Sequence, residues 1–181
     1  KTLQMLTLIA HTRAQGESRP VLVVAPTSVL ATWRDEAARF APDLRVEVVG
    51  ATRRIRGAAV AAVAASADVV VTSYALLRLD EPEFADVAWS ALVLDEAQFV
   101  KNARTKVYQA AKSLRADVTF AITGTPLENS LTELWALLAL TAPGLFASPR
   151  RFRDEYVGPI EKGKVPDRQE GGDHRAVRLA R

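Results

Sequence analysis

The sequence predicts an α/β fold in which helices cover both faces of a mostly parallel β-sheet. Short apolar runs rich in valine recur along the chain, and the segments between them show helical periodicity. Most of these runs are nearly continuous rather than alternating, which is typical of parallel strands buried on both faces. With 181 residues, of which 49% are hydrophobic, the chain can bury one sizeable core, so we expect a single domain.

Five apolar runs are the candidate strands, and they alternate with helix-like intervals in the rhythm of βαβ units. In chain order the strands are residues 21–25, 44–49, 69–72, 92–94 and 118–122. The first candidate helix precedes them at residues 3–14, and the alanine-rich segment 58–67 is a second one, which we interpret as packing.

Two further helices are predicted after the fourth strand. One has apolar residues at i, i+3, i+4 and i+7, which form a single face toward the sheet; they are Val107, Ala110, Ala111 and Leu114. The other begins with a predicted capping box, because Ser130 and Glu133 can satisfy free amides at a helix start. Its core-facing residues are Leu134, Trp135, Leu137 and Leu138.

Composition excludes several classes of protein. Cysteine is absent, which rules out disulfides and thiolate metal sites, and the two histidines, His11 and His174, are too few for a metal cluster. No run approaches the roughly 18 to 20 apolar residues that span a bilayer, and the N-terminus lacks a signal-peptide layout, so we expect a soluble, intracellular protein without a membrane partner. The net charge of +3 comes entirely from residues 150–181, so bulk charge does not establish nucleic-acid binding.

The strongest local feature is the pair of carboxylates, Asp95 and Glu96, that follows the apolar run 92–94. Ligands of open α/β sheets bind at the carboxyl edge of the strands. An acidic residue there can hold Mg²⁺, while the next one orients or deprotonates a water that attacks a γ-phosphate. We assign Asp95 to magnesium and Glu96 to water. The alternative is that both residues only begin a loop or helix, where acidic side chains favour the positive end of the dipole.

Two other segments carry chemistry that is consistent with a phosphate site. Lys1-Thr2 precedes a helix, as does the end of G-x-x-x-x-G-K-[ST], in which the lysine reaches the β- and γ-phosphates and the threonine ligates Mg²⁺. Residues 122–129 place hydroxyls and a glycine after another strand, although an ordinary turn would also use glycine and proline.

Together these segments resemble the N-terminal RecA-like lobe of the Swi/Snf-type ATPases of helicase superfamily two, over roughly residues 1 to 160. Lys1-Thr2 matches the end of motif I, residues 23–30 match motif Ia, residues 95–98 match motif II, and residues 123–129 match motif III. Lys101-Asn102 follows motif II as in this family. Gln98 stands where the commonest form of motif II has histidine, and glutamine cannot become cationic.

The resemblance implies a RecA-like three-layer αβα lobe at residues 1–160, truncated at both ends, and a polar, disordered or incomplete tail at 161–181. It also implies ATP and Mg²⁺ as cofactors. Lys1 and Thr2 would bind the phosphates, Thr2 and Asp95 would hold Mg²⁺, and Gln98 would join Glu96 and Asp95 as a catalytic residue. The predicted coupling residues of motif III are Thr123, Gly124, Thr125 and Pro126.

ATP hydrolysis in this family drives movement along double-stranded DNA, so duplex DNA is the implied partner. The implied further partners are a second RecA-like lobe in the full-length chain and a DNA-bound protein complex. Contacts to the DNA backbone would use hydroxyls and main-chain amides, which carry little sequence information. The residues expected to make them are Pro26, Thr27, Ser28, Thr72, Ser73 and Tyr74. We expect a cytoplasmic protein of a bacterial nucleoid, and negligible activity from the isolated chain.

Several alternatives stay open at this point. The chain could belong to another superfamily-two enzyme, such as a restriction-system translocase or an RNA helicase, or it could be a non-catalytic α/β module whose acidic edge binds a metal or is phosphorylated. Trp33 stands where the family has an aromatic residue after motif Ia, but we interpret it as packed inside an amphipathic helix. Residues 149–156 form either a short helix with a solvated basic face or a direct DNA contact.

Overall fold

The computed structural model describes residues 1–124, 131–146 and 148–161, and it confirms the predicted α/β fold. Five strands form one sheet in the order β2-β3-β1-β4-β5, and every neighbouring pair is parallel. The strands are β1 Val21–Ala25, β2 Val46–Val49, β3 Val69–Ser73, β4 Ala88–Asp95 and β5 Arg115–Ile122.

Helices connect the strands and lie on both faces of the sheet. The α-helices are α1 Thr2–Ala14, α2 Leu30–Phe40, α3 Arg53–Arg56, α4 Val60–Ser66, α5 Tyr74–Leu79, α6 Glu81–Ala85, α7 Lys106–Ser113, α8 Leu131–Thr141, α9 Pro149–Phe152 and α10 Gly158–Glu161. Single turns of 3₁₀-helix occupy Thr27–Val29 and Ala97–Val100, and a π-helical turn occupies Arg153–Val157. No helix of the described segments is long and apolar enough to cross a membrane.

Side-chain caps fix where three of these helices begin. The Ser73 hydroxyl accepts a hydrogen bond from the amide of Leu76 and so caps α5. Thr105 and Ser148 cap α7 and α9 in the same way. Each cap satisfies one of the free amides of a first helical turn, typically contributing about 1 kcal/mol.

Alternate residues of the central strands enter two separate cores. On one face, Val21, Val23 and Ala25 of β1 pack with α1 and α2 around Trp33. On the other face, Leu22 and Val24 belong to a core formed with α4, α5, α6, α7 and α8. This double burial explains the continuous apolar runs in the sequence, because neither face of a central strand meets water.

The predicted elements are present, but the bounds of four of the five strands differ; β2 begins two residues after the predicted run, at Val46, and β3 ends one residue after it, at Ser73. The predicted helical face at 107–114 is confirmed, since its four apolar residues are buried or packed against the core around α7. β4 begins four residues before the predicted run, and β5 begins at Arg115, three residues early. β5 has the alternating polar and apolar pattern of a half-exposed strand, so its first half carries no continuous apolar signal. The predicted cap at Ser130 and the tail 162–181 lie outside the described residues.

The segment 149–156 has the features of the helical alternative. Phe152 is buried and stacks on Tyr156 with ring centroids 5.2 Å apart. The exposed guanidinium groups of Arg150 and Arg151 pair with Asp154 and Glu155, one turn further along. The basic residues thus form a solvated surface with acidic partners close by.

A buried carboxylate ties α1 to the amino ends of the strands. Asp68 is 4% exposed and precedes β3. Its Oδ2 accepts hydrogen bonds from the Arg45 main-chain amide at 2.8 Å and from Arg45 Nε at 3.1 Å, and its Oδ1 forms an ion pair with Arg13. The hydrogen bonds from Arg45, with the charges of both arginines, hold the pKa of Asp68 below its ordinary value despite its burial.

Replacing Asp68 by asparagine should lower the free energy of unfolding at pH 7 by about 2 kcal/mol, because Arg13 and Arg45 lose their shared counter-charge. A carboxylate whose pKa is depressed in the folded state stabilises the fold above its unfolded pKa of about 3.9 and loses that contribution as the pH falls through the folded pKa. Urea denaturation at a series of pH values should therefore show the two proteins converging below about pH 4. An equal difference at pH 7 and pH 3 would contradict this account.

Tyr108 is the opposite case, because removal of its buried hydroxyl should stabilise the fold. Its side chain is 2% exposed, and its hydroxyl has no hydrogen-bond partner within residues 1–124, 131–146 and 148–161. A buried hydroxyl without a partner pays its desolvation penalty in full. Tyr108→Phe should thus raise the free energy of unfolding by about 1 kcal/mol in urea denaturation. A loss of stability would show that the hydroxyl has a partner.

Candidate active site

The parallel sheet brings the candidate site residues to one edge. Asp95 is the last residue of β4 and lies opposite Ile122 of β5, while Ala25 of β1 lies opposite Ser73 of β3. Val24 pairs with Leu94, which aligns these two halves of the sheet. The segments that leave the four strands therefore start at the same level, on the side where open α/β sheets bind ligands.

Asp95 is fixed at this edge by three hydrogen bonds. The indole Nε1 of Trp33 donates to Asp95 Oδ2 at 2.9 Å, and the main-chain amide of Glu96 donates to Oδ1 at 3.1 Å. The Tyr74 hydroxyl donates to the main-chain carbonyl of Asp95 at 2.8 Å. Burial, followed by the charges of Asp95 and Glu96, raises the pKa of Tyr74 far above its ordinary value, so the phenol keeps its proton to donate.

The donor set at Asp95 fits Mg²⁺. Each carboxylate oxygen accepts one of these hydrogen bonds and can offer a further lone pair to a ligand. The described residues contain no group of three or more histidine, cysteine or carboxylate side chains that could hold a metal. Mg²⁺ is usually held by one or two carboxylates together with phosphate oxygens and water rather than by an all-protein cage, so Asp95 suits a magnesium ion that arrives with a nucleotide.

Glu96 has an unusual backbone. Its φ of 51° and ψ of 57° place it in the left-handed region, the one non-glycine residue of the described segments with positive φ. Such conformations cost about 1 to 3 kcal/mol and are concentrated at functional sites. A single 3₁₀ turn follows, but the Glu96 side chain does not cap it. Glu96 therefore lacks the hydrogen bond that a purely helix-capping role would use.

Gln98 connects Glu96 to the end of β5. Its Nε2 donates to Glu96 Oε2 at 2.9 Å, and its Oε1 accepts from Thr123 Oγ1 at 3.4 Å. Further along, Lys101 forms a 3.2 Å ion pair with Glu133 of α8. Gln98 thus joins motif II to the first residue after β5, and Lys101, which follows the motif, pairs with the next helix.

Lys1 lies at the same edge, as the sequence predicts for a phosphate-binding lysine. Its Nζ donates to the main-chain carbonyl of Thr123 at 2.9 Å, and Thr2 is the first residue of α1. A cleft of about 260 Å³ lies between the start of α1 and the end of β5. It is lined by Lys1, Gln4, Met5, Ala121, Ile122 and Thr123. The structure therefore brings Lys1 and Thr123 together; Gly124 follows, while Thr125 and Pro126 lie outside the described residues.

The two segments expected to touch DNA differ in exposure. Thr27 and Ser28 are exposed in the turn that follows β1 and Pro26. Thr72, Ser73 and Tyr74 are buried, and their hydroxyls are used within the protein. Thr72 donates to the Val49 carbonyl, Ser73 caps α5 and Tyr74 binds the Asp95 carbonyl. The DNA contact at 72–74 stays a prediction, and in this arrangement it would have to use main-chain groups.

Sequence reasoning missed the link from Trp33 and Tyr74 to Asp95. The prediction that Trp33 packs inside is confirmed, since it is 1% exposed, but the same residue also holds the site carboxylate. A buried indole N–H usually has a partner, which is the one signal that the sequence offers. The partner is 62 positions away in the chain, and its identity depends on the strand register.

The chain matches the SNF2-related domain family over residues 1–181. It is 43% identical over 165 residues to the protein YwqA of Bacillus subtilis, which covers 91% of this chain and 18% of YwqA. It is 35% identical over 170 residues to the chromatin-remodeling ATPase INO80 of Arabidopsis thaliana, covering 89% of this chain and 11% of that protein.

A solved structure has the same fold. The Sulfolobus solfataricus SWI2/SNF2 ATPase core in complex with dsDNA superposes with a TM-score of 0.81 and 36% sequence identity, covering 91% of this chain and 34% of the Sulfolobus chain. The chain thus spans less than a fifth of these two relatives and about a third of the solved core. With the family match over the whole chain and this agreement in sequence and fold, the chain belongs to the SNF2-related domain family.

Proposed function

We propose that this chain is the ATP-binding lobe of an ATP-dependent translocase that moves along double-stranded DNA. The observation that carries the proposal is the side-chain connection from Glu96 through Gln98 to Thr123, beside Asp95 and Lys1 at one sheet edge. Family membership supports ATP use, and the related Sulfolobus core was solved with double-stranded DNA. We place the lobe at residues 1–160 and treat 161–181 as a separate tail.

Each site residue has a role in this proposal. Lys1 and Thr2 bind the ATP phosphates, and Thr2 and Asp95 hold Mg²⁺. When bound, the ion screens the phosphate charge and orients the γ-phosphoryl group. Glu96 orients the attacking water and accepts its proton, while Gln98 keeps the Glu96 carboxylate turned toward β5.

Coupling and partner contacts extend from this edge. Motif III, at Thr123, Gly124, Thr125 and Pro126, would report the state of the nucleotide site through Gln98. DNA would be bound along its phosphates by Pro26, Thr27 and Ser28 and by the main chain of residues 72–74. We further propose a second RecA-like lobe, a DNA-bound protein complex as the object remodelled, and a cytoplasmic location on the nucleoid of a bacterium.

The first test is the dependence of ATPase activity on nucleic acid. The full-length protein should hydrolyse ATP several-fold faster with duplex DNA than without it, measured as phosphate release with duplex DNA, single-stranded DNA and RNA side by side. Residues 1–181 alone should show negligible turnover, because electrostatic stabilisation of the transferring phosphoryl group would come largely from the second lobe. Stronger stimulation by RNA would favour an RNA helicase, and turnover by the isolated chain would contradict the two-lobe site.

The second test concerns Glu96. Glu96→Gln in the full-length protein should lower kcat by about 100-fold or more, since a general base contributes roughly 10² to 10⁴. ATP affinity, measured with a fluorescent analogue, should change little, because the phosphates are held by other residues. Glu47→Gln is the matched control, an exposed carboxylate on β2 at the far side of the sheet. Retained turnover in Glu96→Gln would remove Glu96 from the mechanism.

A further inference from the structure

Asp95 is held from both faces of the sheet. Trp33 belongs to the core that α1 and α2 cover, and Tyr74 belongs to the core on the opposite face. Their side chains are 1% and 6% exposed and converge on one residue at the strand end. The indole binds the carboxylate at 2.9 Å and the phenol binds the main-chain carbonyl at 2.8 Å. The side chain and the main chain of Asp95 are therefore fixed independently.

The need of a buried N–H for some hydrogen-bond partner does not explain why the partner of Trp33 is Asp95. Trp89 is 0% exposed, and its Nε1 donates to the Phe84 carbonyl at 2.9 Å. Trp135 likewise donates to the Phe146 carbonyl at 3.1 Å. These two indoles are satisfied by main-chain oxygens nearby in sequence. Trp33 instead bonds to a carboxylate 62 residues away, at the predicted magnesium site.

The Trp33 indole donates to a carboxylate oxygen of Asp95, and this choice of atom determines its effect on the site. An N–H that donates to one carboxylate oxygen fixes the rotation of that carboxylate and so directs the remaining lone pairs. The ring of Phe99 stacks on Tyr74 with centroids 5.2 Å apart and an interplanar angle of 13°, which holds the phenol in place beneath Asp95.

We propose that Trp33 and Tyr74 are positioning residues for Asp95, which set the direction in which its carboxylate meets Mg²⁺. The proposal rests on the proposed function, since it requires that Asp95 binds the ion that accompanies ATP. Outer-shell partners of metal-binding carboxylates typically change metal affinity by about 10- to 100-fold when removed. Trp33 and Tyr74 therefore act on the magnesium requirement rather than on the phosphates directly.

The test is a Mg²⁺ titration of ATP binding in the full-length protein carrying Trp33→Phe. The Mg²⁺ concentration for half-maximal binding of a fluorescent ATP analogue should rise about tenfold or more. Trp89→Phe is the matched control, because it makes the same substitution at an equally buried indole whose partner is a main-chain carbonyl. Equal Mg²⁺ requirements in the two variants would overturn the proposal, because a shared loss of packing would then explain both.

A spectroscopic readout separates positioning from packing. In the full-length protein labelled with 5-fluorotryptophan, the ¹⁹F signal of Trp33 is the one lost in Trp33→Phe. Addition of Mg²⁺ with ATP should shift that signal, and so should Asp95→Asn, while the signals of Trp89 and Trp135 stay in place. If the ¹⁹F chemical shift of Trp33 is unchanged in Asp95→Asn, the proposal is overturned.

Tyr74→Phe provides a second variant that removes a single oxygen atom and keeps the ring stacked on Phe99. Like Trp33→Phe, it should raise the Mg²⁺ concentration needed for half-maximal ATP binding. It therefore tests the proposal even if Trp33→Phe fails to fold. An unchanged requirement in Tyr74→Phe would then overturn the proposal. Absence of Mg²⁺-dependent ATP binding in the unaltered protein is a different outcome, which overturns the proposed function and this inference with it.

Discussion

The parallel register of β1, β3, β4 and β5 is the constraint on which the rest of the structure depends. Parallel strands in register end at one edge, so the segments that follow Ala25, Ser73, Asp95 and Ile122 start at the same level although they are far apart in the chain. The hydrogen-bonded ladder is buried between two cores, which leaves it little freedom to slip. The sheet therefore sets the level at which the segments that carry the site side chains begin.

Burial of the strands between two cores also explains why polar groups at this edge hydrogen-bond to one another. At the carboxyl end of a central strand, the chain passes from a dry core to solvent within one or two residues. Trp33 and Tyr74 stand at that boundary, with their rings in the cores and their polar atoms on Asp95. A hydrogen bond in such a place is stronger than one in water, and an unmade one is more costly. The interior of the fold thus fixes the group that would face the metal.

Much of this could be predicted from the sequence, for identifiable reasons. The continuous apolar runs and the helical face at Ala110 and Ala111 gave the fold class, because double burial and the 3.6-residue period leave direct traces. The position of Asp95 and Glu96 at the carboxyl end of a strand could be predicted because the run before them is strongly apolar. The start of β5 was not, since a half-exposed strand mixes polar and apolar residues. The left-handed backbone of Glu96 and the bond from Trp33 to Asp95 depend on tertiary geometry and leave no local pattern.

Two side-chain contacts of different chemistry leave the segment 96–101, one toward the end of β5 and the other toward α8. The Lys101–Glu133 pair is ionic and partly exposed, so salt screens it and it contributes little by itself. Gln98 offers a neutral amide whose two ends meet Glu96 and Thr123. An imidazole at that position would change its charge near neutral pH, whereas an amide keeps its N–H donors and its carbonyl acceptor at every working pH. The orientation of Glu96 relative to β5 is therefore independent of protonation at position 98.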